Sequence, residues 1–244
     1  MKQHSSVFCL MVRSTFYKVL LLLGAATVVE AAVFILLMLH GPTADGFGPE
    51  QILQQGRIAW IFGAVMVLMT LLLCRTGMEK DAKTGYTLQR LSISERWVFF
   101  WQSSYNTLCY LLLLLWQILT VMLLCMLYAR LAPPEYVTGQ TVFLAFYRSA
   151  FLHALLPFEE GALWVKNALL VLSLGIASAR YPMALRHGSK QQEIAGACCA
   201  AVAFFVEEIG SVNGAISILI SLITIGVSVY RVMDREALYE QETS

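Results

Sequence analysis

Residues 97–129 read WVFFWQSSYNTLCYLLLLLWQILTVMLLCMLYA, 33 positions between Arg96 and Arg130 without a formal charge. As helix this run would measure about 50 Å at 1.5 Å per residue, against a bilayer hydrocarbon core of about 30 Å. It is too apolar to face water and too long for one perpendicular crossing. We therefore place a span at residues 105–128. Its preceding turns, with Trp97 and Trp101, would lie along the interface, where indoles favour the headgroup level.

The rest of the chain fits the same solvent. Of 244 residues, 58% are hydrophobic and 14% charged, and mean hydropathy is +0.67. Soluble domains carry roughly 45–50% apolar and about 25% charged residues. A net charge of +1 also argues against a nucleic-acid partner, whose phosphates would demand a basic stripe. Working outward from 105–128, the pattern predicts an all-α, polytopic membrane protein forming a single transmembrane domain over 1–244. Its six spans are 19–39, 58–74, 105–128, 161–179, 194–209 and 213–230.

The first of these contains one charge, Glu30, and the second is bounded by Arg57 and Arg75. Lys166 lies near the outer end of the fourth, where a long side chain can snorkel to water. The last two are read as a hairpin, because one straight helix from Ile194 to Tyr230 would reach about 55 Å. Gly210–Gly214, with Ser211 and Asn213, suits the turn.

Several segments fall outside the spans. Residues 1–18 repeat apolar side chains at helical spacing (Phe8, Met11, Val12, Phe16), which predicts an N-terminal interfacial helix. Residues 136–158 are apolar but broken by Arg148, His153 and Pro157, and are read as an outer interfacial or re-entrant helix. Residues 234–244 make an acidic, solvated tail. A cleavable leader is not expected, since the first apolar run is followed by His40, Gly41 and Pro42 rather than by a small-residue site.

Orientation follows from lysine and arginine, which are retained on the cytoplasmic side. With the N-terminus inside, thirteen of the seventeen basic residues are cytoplasmic, leaving Arg57, Arg130, Arg148 and Lys166 at the outer face. Both termini are then expected to be cytoplasmic.

No residue cluster announces catalysis. Cys9, Cys74, Cys109, Cys125, Cys198 and Cys199 show no CxxC spacing, the four histidines are scattered, and no metal or cofactor is expected in this chain. A G-x-x-x-x-G-K-[ST] motif is absent, so any nucleotide hydrolysis must belong to another polypeptide. Glu30 in mid-span costs on the order of 3 kcal/mol unless something offsets it. It is either hydrogen-bonded within the bundle or part of a polar substrate pathway. Asn106, Tyr110, Leu113, Gln117 and Thr120 share one helical face, which serves either interhelical hydrogen bonding or that same pathway.

The most specific stretch is EKDAKTGYTLQRLSISERWVFFW, residues 79–101. Its apolar side chains Leu88, Leu91 and Ile93, flanked by Arg90 and Arg96, suit either a groove on a soluble partner or the inner leaflet. The order of its elements resembles the cytoplasmic loop after the second span of type-2 ATP-binding-cassette (ABC) exporter permeases. Glu79 and Lys80 form the start, Gly85 and Thr87 the glycine–threonine element, Leu88 and Leu91 the helix, and Ser92, Ile93, Ser94 and Arg96 the closing step. Tyr86 is inserted between glycine and threonine, and Ser92 stands where that family usually has proline.

The resemblance implies a coupling helix bearing Gly85, Thr87, Leu88, Arg90, Leu91, Ile93, Ser94 and Arg96. It also implies separate ATPase subunits that bind ATP and Mg, and a second permease copy or a similar permease. The cargo would be hydrophobic or amphipathic: a peptide, an antibiotic or a lipid-like compound. Two other classes stay open. One is a non-transporting membrane scaffold or immunity protein; the other is a glutamate-type intramembrane protease, for which Glu159, Glu160, Glu207 and Glu208 are candidates. A secondary transporter is disfavoured, because inverted repeats are not apparent.

Overall fold

The computed structural model describes residues 2–40, 48–75, 94–133, 137, 139–157, 161–186, 193–206 and 211–243. Regular structure among them is entirely helical. Among the described residues, four helices are long and apolar enough to cross a membrane, or five if a pair bent by 55° counts as one span. This architecture is compatible with a multi-pass membrane protein.

Helix α1, Lys2–His40, is unbroken over 39 residues. It shows no division at residue 18: Ser14 and Thr15 both donate to the Met11 carbonyl, so their hydroxyls are satisfied inside the helix and do not end it. Met11, Thr15, Val19, Leu23, Ala26, Glu30 and Phe34 recur every three or four residues as one buried stripe. Tyr17, Leu21, Val28, Leu36 and Leu39 occupy the exposed side.

Helices α2 (Pro49–Gln55) and α3 (Ile58–Cys74) form the bent pair. Gly56 and Arg57 make the corner, and Arg57 adopts a left-handed φ of 49°. At Gly56 a Cβ would press on the Ile52 carbonyl at 3.0 Å and on Val33 at 3.1 Å, which explains glycine there. Helix α4, Glu95–Leu131, runs 37 residues without a break at Tyr105, where the sequence reading began the span. It contains neither glycine nor proline to interrupt it.

The segment 136–158 contributes α5 (Thr141–Arg148) and α6 (Ala150–Leu155), separated by an extended Ser149. Rising about 12 Å and 9 Å, neither can cross a bilayer alone. Helix α7, Gly161–Arg186, is longer than the 161–179 expected. Helix α8, Glu193–Val206, has 14 residues and rises about 21 Å, short of the core thickness. Helix α9 begins at Ser211, so Ser211, Asn213 and Gly214 are helical rather than turn-forming, and it continues through the acidic tail to Thr243.

Side-chain contacts fix the helix directions. Phe8 packs edge-on against Trp101 and Tyr105, and Phe34 joins the cluster containing Val121 and Leu124, so α1 and α4 run parallel. Phe99 clusters with Ile176 and Met183 while Thr107 meets Gly175, making α7 antiparallel to α4; Ile225 and Val232 of α9 pack on the Phe99 cluster, and Arg180 reaches the Val227 carbonyl. The start of α1 and the later turns of α9 therefore share one end of the bundle with the start of α4. The largest apolar core joins α1, α3, α4, α7 and α8 around Phe62, Met66, Tyr110, Leu113 and Phe205. A second core at the far end gathers Phe34, Ile58, Cys125, Phe146 and Leu152. Helix α7 packs chiefly on α4 and α9.

Candidate functional site

The polar face read from residues 106–120 is turned into the bundle. Asn106, Tyr110, Gln117 and Thr120 are all buried, Asn106 and Tyr110 completely. Three of them reach three different helices. Asn106 Nδ2 donates to Ser178 Oγ of α7 at 2.9 Å, and Tyr110 OH donates to Thr70 Oγ1 of α3 at 2.8 Å. Gln117 Nε2 donates to Glu30 Oε2 of α1 at 3.0 Å.

Two further bonds tie α4 to α1: Tyr105 OH with Thr15 Oγ1 at 2.8 Å, and Trp116 Nε1 donating to Thr27 Oγ1 at 2.8 Å. The hydroxyl partners relay these bonds into their own backbones. Thr70 donates to the Met66 carbonyl, Thr27 to Leu23 and Ser178 to Gly175. Interhelical hydrogen bonds inside membranes contribute on average about 0.6 kcal/mol, with a maximum of about 1.7. Five of them make α4 the polar hub of the fold.

Glu30 ends this network on α1. It is 1% exposed; one carboxyl oxygen accepts from Gln117, while Oε1 has no partner among the described residues. Thr120 lies one turn beyond Gln117 on the same buried face. Where α4 meets α7 the backbones touch, because a Cβ on Gly175 would overlap Thr107 Oγ1 and come within 2.9 Å of the Thr107 Cα and N.

Among the described residues, two cavities bear on this network. One, of about 750 Å³, lies between α3 and α8; the other, of about 500 Å³, lies beneath the α2–α3 corner. Neither is lined by Glu30, Asn106, Tyr110, Gln117 or Thr120, and of the network only Thr70 borders one.

Of the loop residues, Gly85, Thr87, Leu88, Arg90, Leu91 and Ile93 lie outside the described residues. Ser94 caps the start of α4, its carbonyl accepting from the Trp97 and Val98 amides, and Arg96 is exposed on the first turn. Next to them Trp97 and Phe100, both about half exposed, pair edge to face at 6.0 Å. Glu159, Glu160, Glu207 and Glu208 also lie outside the described residues. Among the described ones, no three His, Cys, Asp or Glu side chains gather as a metal site.

Lys166 departs from its expected place. It is 5% exposed rather than snorkelling, with Nζ 6.0 Å from the centre of the Phe205 ring, because the end of α8 covers it. Asn167 beside it donates to the Ala154 carbonyl of α6 at 2.9 Å. The sequence reading also passed over Ser217, Ser221, Thr224 and Ser228 of α9, all buried. Their spacing of four, three and four residues was the available signal.

No family model, curated protein or solved structure matches this chain. The class that the described residues define is an all-helical bundle with four or five helices long and apolar enough to span a membrane.

Proposed function

We propose that this chain is the membrane-spanning permease subunit of a type-2 ABC exporter, working with separate ATPase subunits and a second permease copy in a prokaryotic plasma membrane. The observation that carries the reading is the 79–101 motif and its attachment. Residues 95–101 of the motif are already the first turns of α4, so the loop joins, without a spacer, the helix that is hydrogen-bonded to α1, α3 and α7. Force applied at Arg90 to Arg96 would therefore enter the centre of the bundle. The aromatic pair Trp97 and Phe100 lies exposed where a soluble partner would dock.

The helix directions and the thirteen-to-four distribution of basic residues support a topology with both termini cytoplasmic. ATP and Mg belong to the partner ATPase. Because the polar face of α4 is closed within one chain, the pathway in this reading runs between two copies, and its cargo is hydrophobic or amphipathic.

The test is affinity purification of the tagged chain from native membranes in mild detergent, with partners identified by mass spectrometry. A P-loop ATPase at near-equal abundance is expected, and Arg90→Glu with Leu91→Asp should abolish its recovery while leaving membrane insertion intact. Recovery unchanged by the double substitution would refute coupling through this loop. The closed face of α4 also favours a second reading, a non-transporting scaffold or immunity protein. That reading predicts partner binding without substrate-stimulated ATP turnover.

A further inference from the structure

The two cavities adjoin at Trp60, whose side chain lines both. In the larger, Val67, Leu71 and Cys74 of α3 form one wall, Ala195, Cys199 and Ala203 of α8, four residues apart, form the other, and Arg75 and Tyr181 close the end away from Trp60. The small side chains of α8 make this wall concave. From Trp60 to Cys74 the helix rises about 21 Å, more than the roughly 15 Å depth of one leaflet.

The smaller cavity is about half polar. Glu50, Gln54, Arg57 and Arg148 line it. Glu50 and Arg148 pair at 3.4 Å, whereas Arg57 has no ion-pair partner among the described residues, so the cavity retains one positive charge. Trp60 stands one turn into α3 and is 58% exposed, as an indole at headgroup level would be. With Trp60 at that level, the charged cavity would face the headgroups and the groove on the other side of Trp60 the hydrocarbon.

We infer that these cavities form one binding site for a lipid with an anionic headgroup. An acyl chain lies in the α3–α8 groove, the headgroup phosphate meets Arg57 and Arg148, and Trp60 marks the boundary between them. Two arginines against one carboxylate select an anionic over a zwitterionic headgroup. A free anion would leave the adjoining apolar groove unfilled. The site requires neither ATP nor transport, so it stands or falls separately from the exporter reading.

The experiment uses the full chain in phosphatidylcholine vesicles doped with phosphatidylglycerol carrying a diazirine on its acyl chain. Photoadducts are mapped by peptide mass spectrometry. Labelling of 194–206 should exceed that of the equally apolar, exposed face of α9 at Leu219–Ile223 by at least about fivefold, while a phosphatidylcholine probe should label both alike. Arg57→Gln should lower the groove labelling by about fivefold and leave the α9 labelling unchanged, which also reports that the fold is intact. Ala203→Phe should lower it by filling the groove. Equal labelling of groove and α9 by the anionic probe, or equal groove labelling by the two lipids, would overturn the inference. So would displacement of the probe by millimolar inorganic phosphate, which would assign the arginines to a soluble anion.

Discussion

Helix α7 meets α4, and α8 meets α3, through small residues in both cases, yet the first pair closes and the second, joined through Phe62 and Phe205, leaves a groove beside its contact. On α7, Gly175 and Ser178 bring the backbone of α4 into contact, and Asn106 locks it with an amide-to-hydroxyl bond. On α8, Ala195, Cys199 and Ala203 face a groove of about 750 Å³, and the polar link to α3 is the Cys198 thiol at 3.7 Å from Thr70. A thiol is a weak donor. Small residues permit close approach without causing it, and in lipid, where apolar surface gains little by leaving its surroundings, the polar lock decides.

The largest effect should come from the closed interface. Gly175→Ala places a methyl against the Thr107 backbone and should cost about 1–3 kcal/mol, read as a lowered thermal midpoint of the purified protein in detergent. Gly196→Ala on α8 meets nothing within 4 Å and should stay within about 0.5 kcal/mol. Equal shifts from the two would erase the distinction between the pairs.

Next comes the Glu30–Gln117 bond. Gln117→Leu leaves both oxygens of a buried carboxyl unpartnered and should cost about 1–3 kcal/mol, whereas Glu30→Leu with Gln117→Leu should recover most of that loss in the same melt. If the double variant is no better than the single one, the bond is not what holds Glu30. The smallest contrast sets the two locks on Thr70 against each other. Tyr110→Phe should cost about 0.6 kcal/mol, and Cys198→Ala less, as measured by steric trapping in bicelles.

The inward face of α4 was legible because Asn106, Tyr110, Leu113, Gln117 and Thr120 repeat at helical spacing within a run that lipid would otherwise cover. Their partners were not, since periodicity on one helix says nothing about which neighbour faces it: Ser178, Thr70 and Thr27 are ordinary hydroxyls in sequence. The continuity of α1 through Lys18 was hidden by polar Ser14 and Thr15, whose back-bonding to Met11 shows only in three dimensions. Gly214 looked like a turn residue, yet α9 already includes it. Lys166 was expected near water because sequence could not show that Phe205 lies over it. The groove is a property of the spacing between two helices, and no single segment encodes it.

The length of α4, combined with its tightest contact, has a mechanical consequence. Thr107, where the backbone rests on Gly175, lies about 18 Å from the Glu95 end of the helix and about 36 Å from Leu131. Without a glycine or proline to bend at, the helix is a lever of unequal arms pivoted on that glycine. A sideways displacement of 95–101 would reappear near Tyr128, where α4 packs with α5, reversed in direction and about doubled.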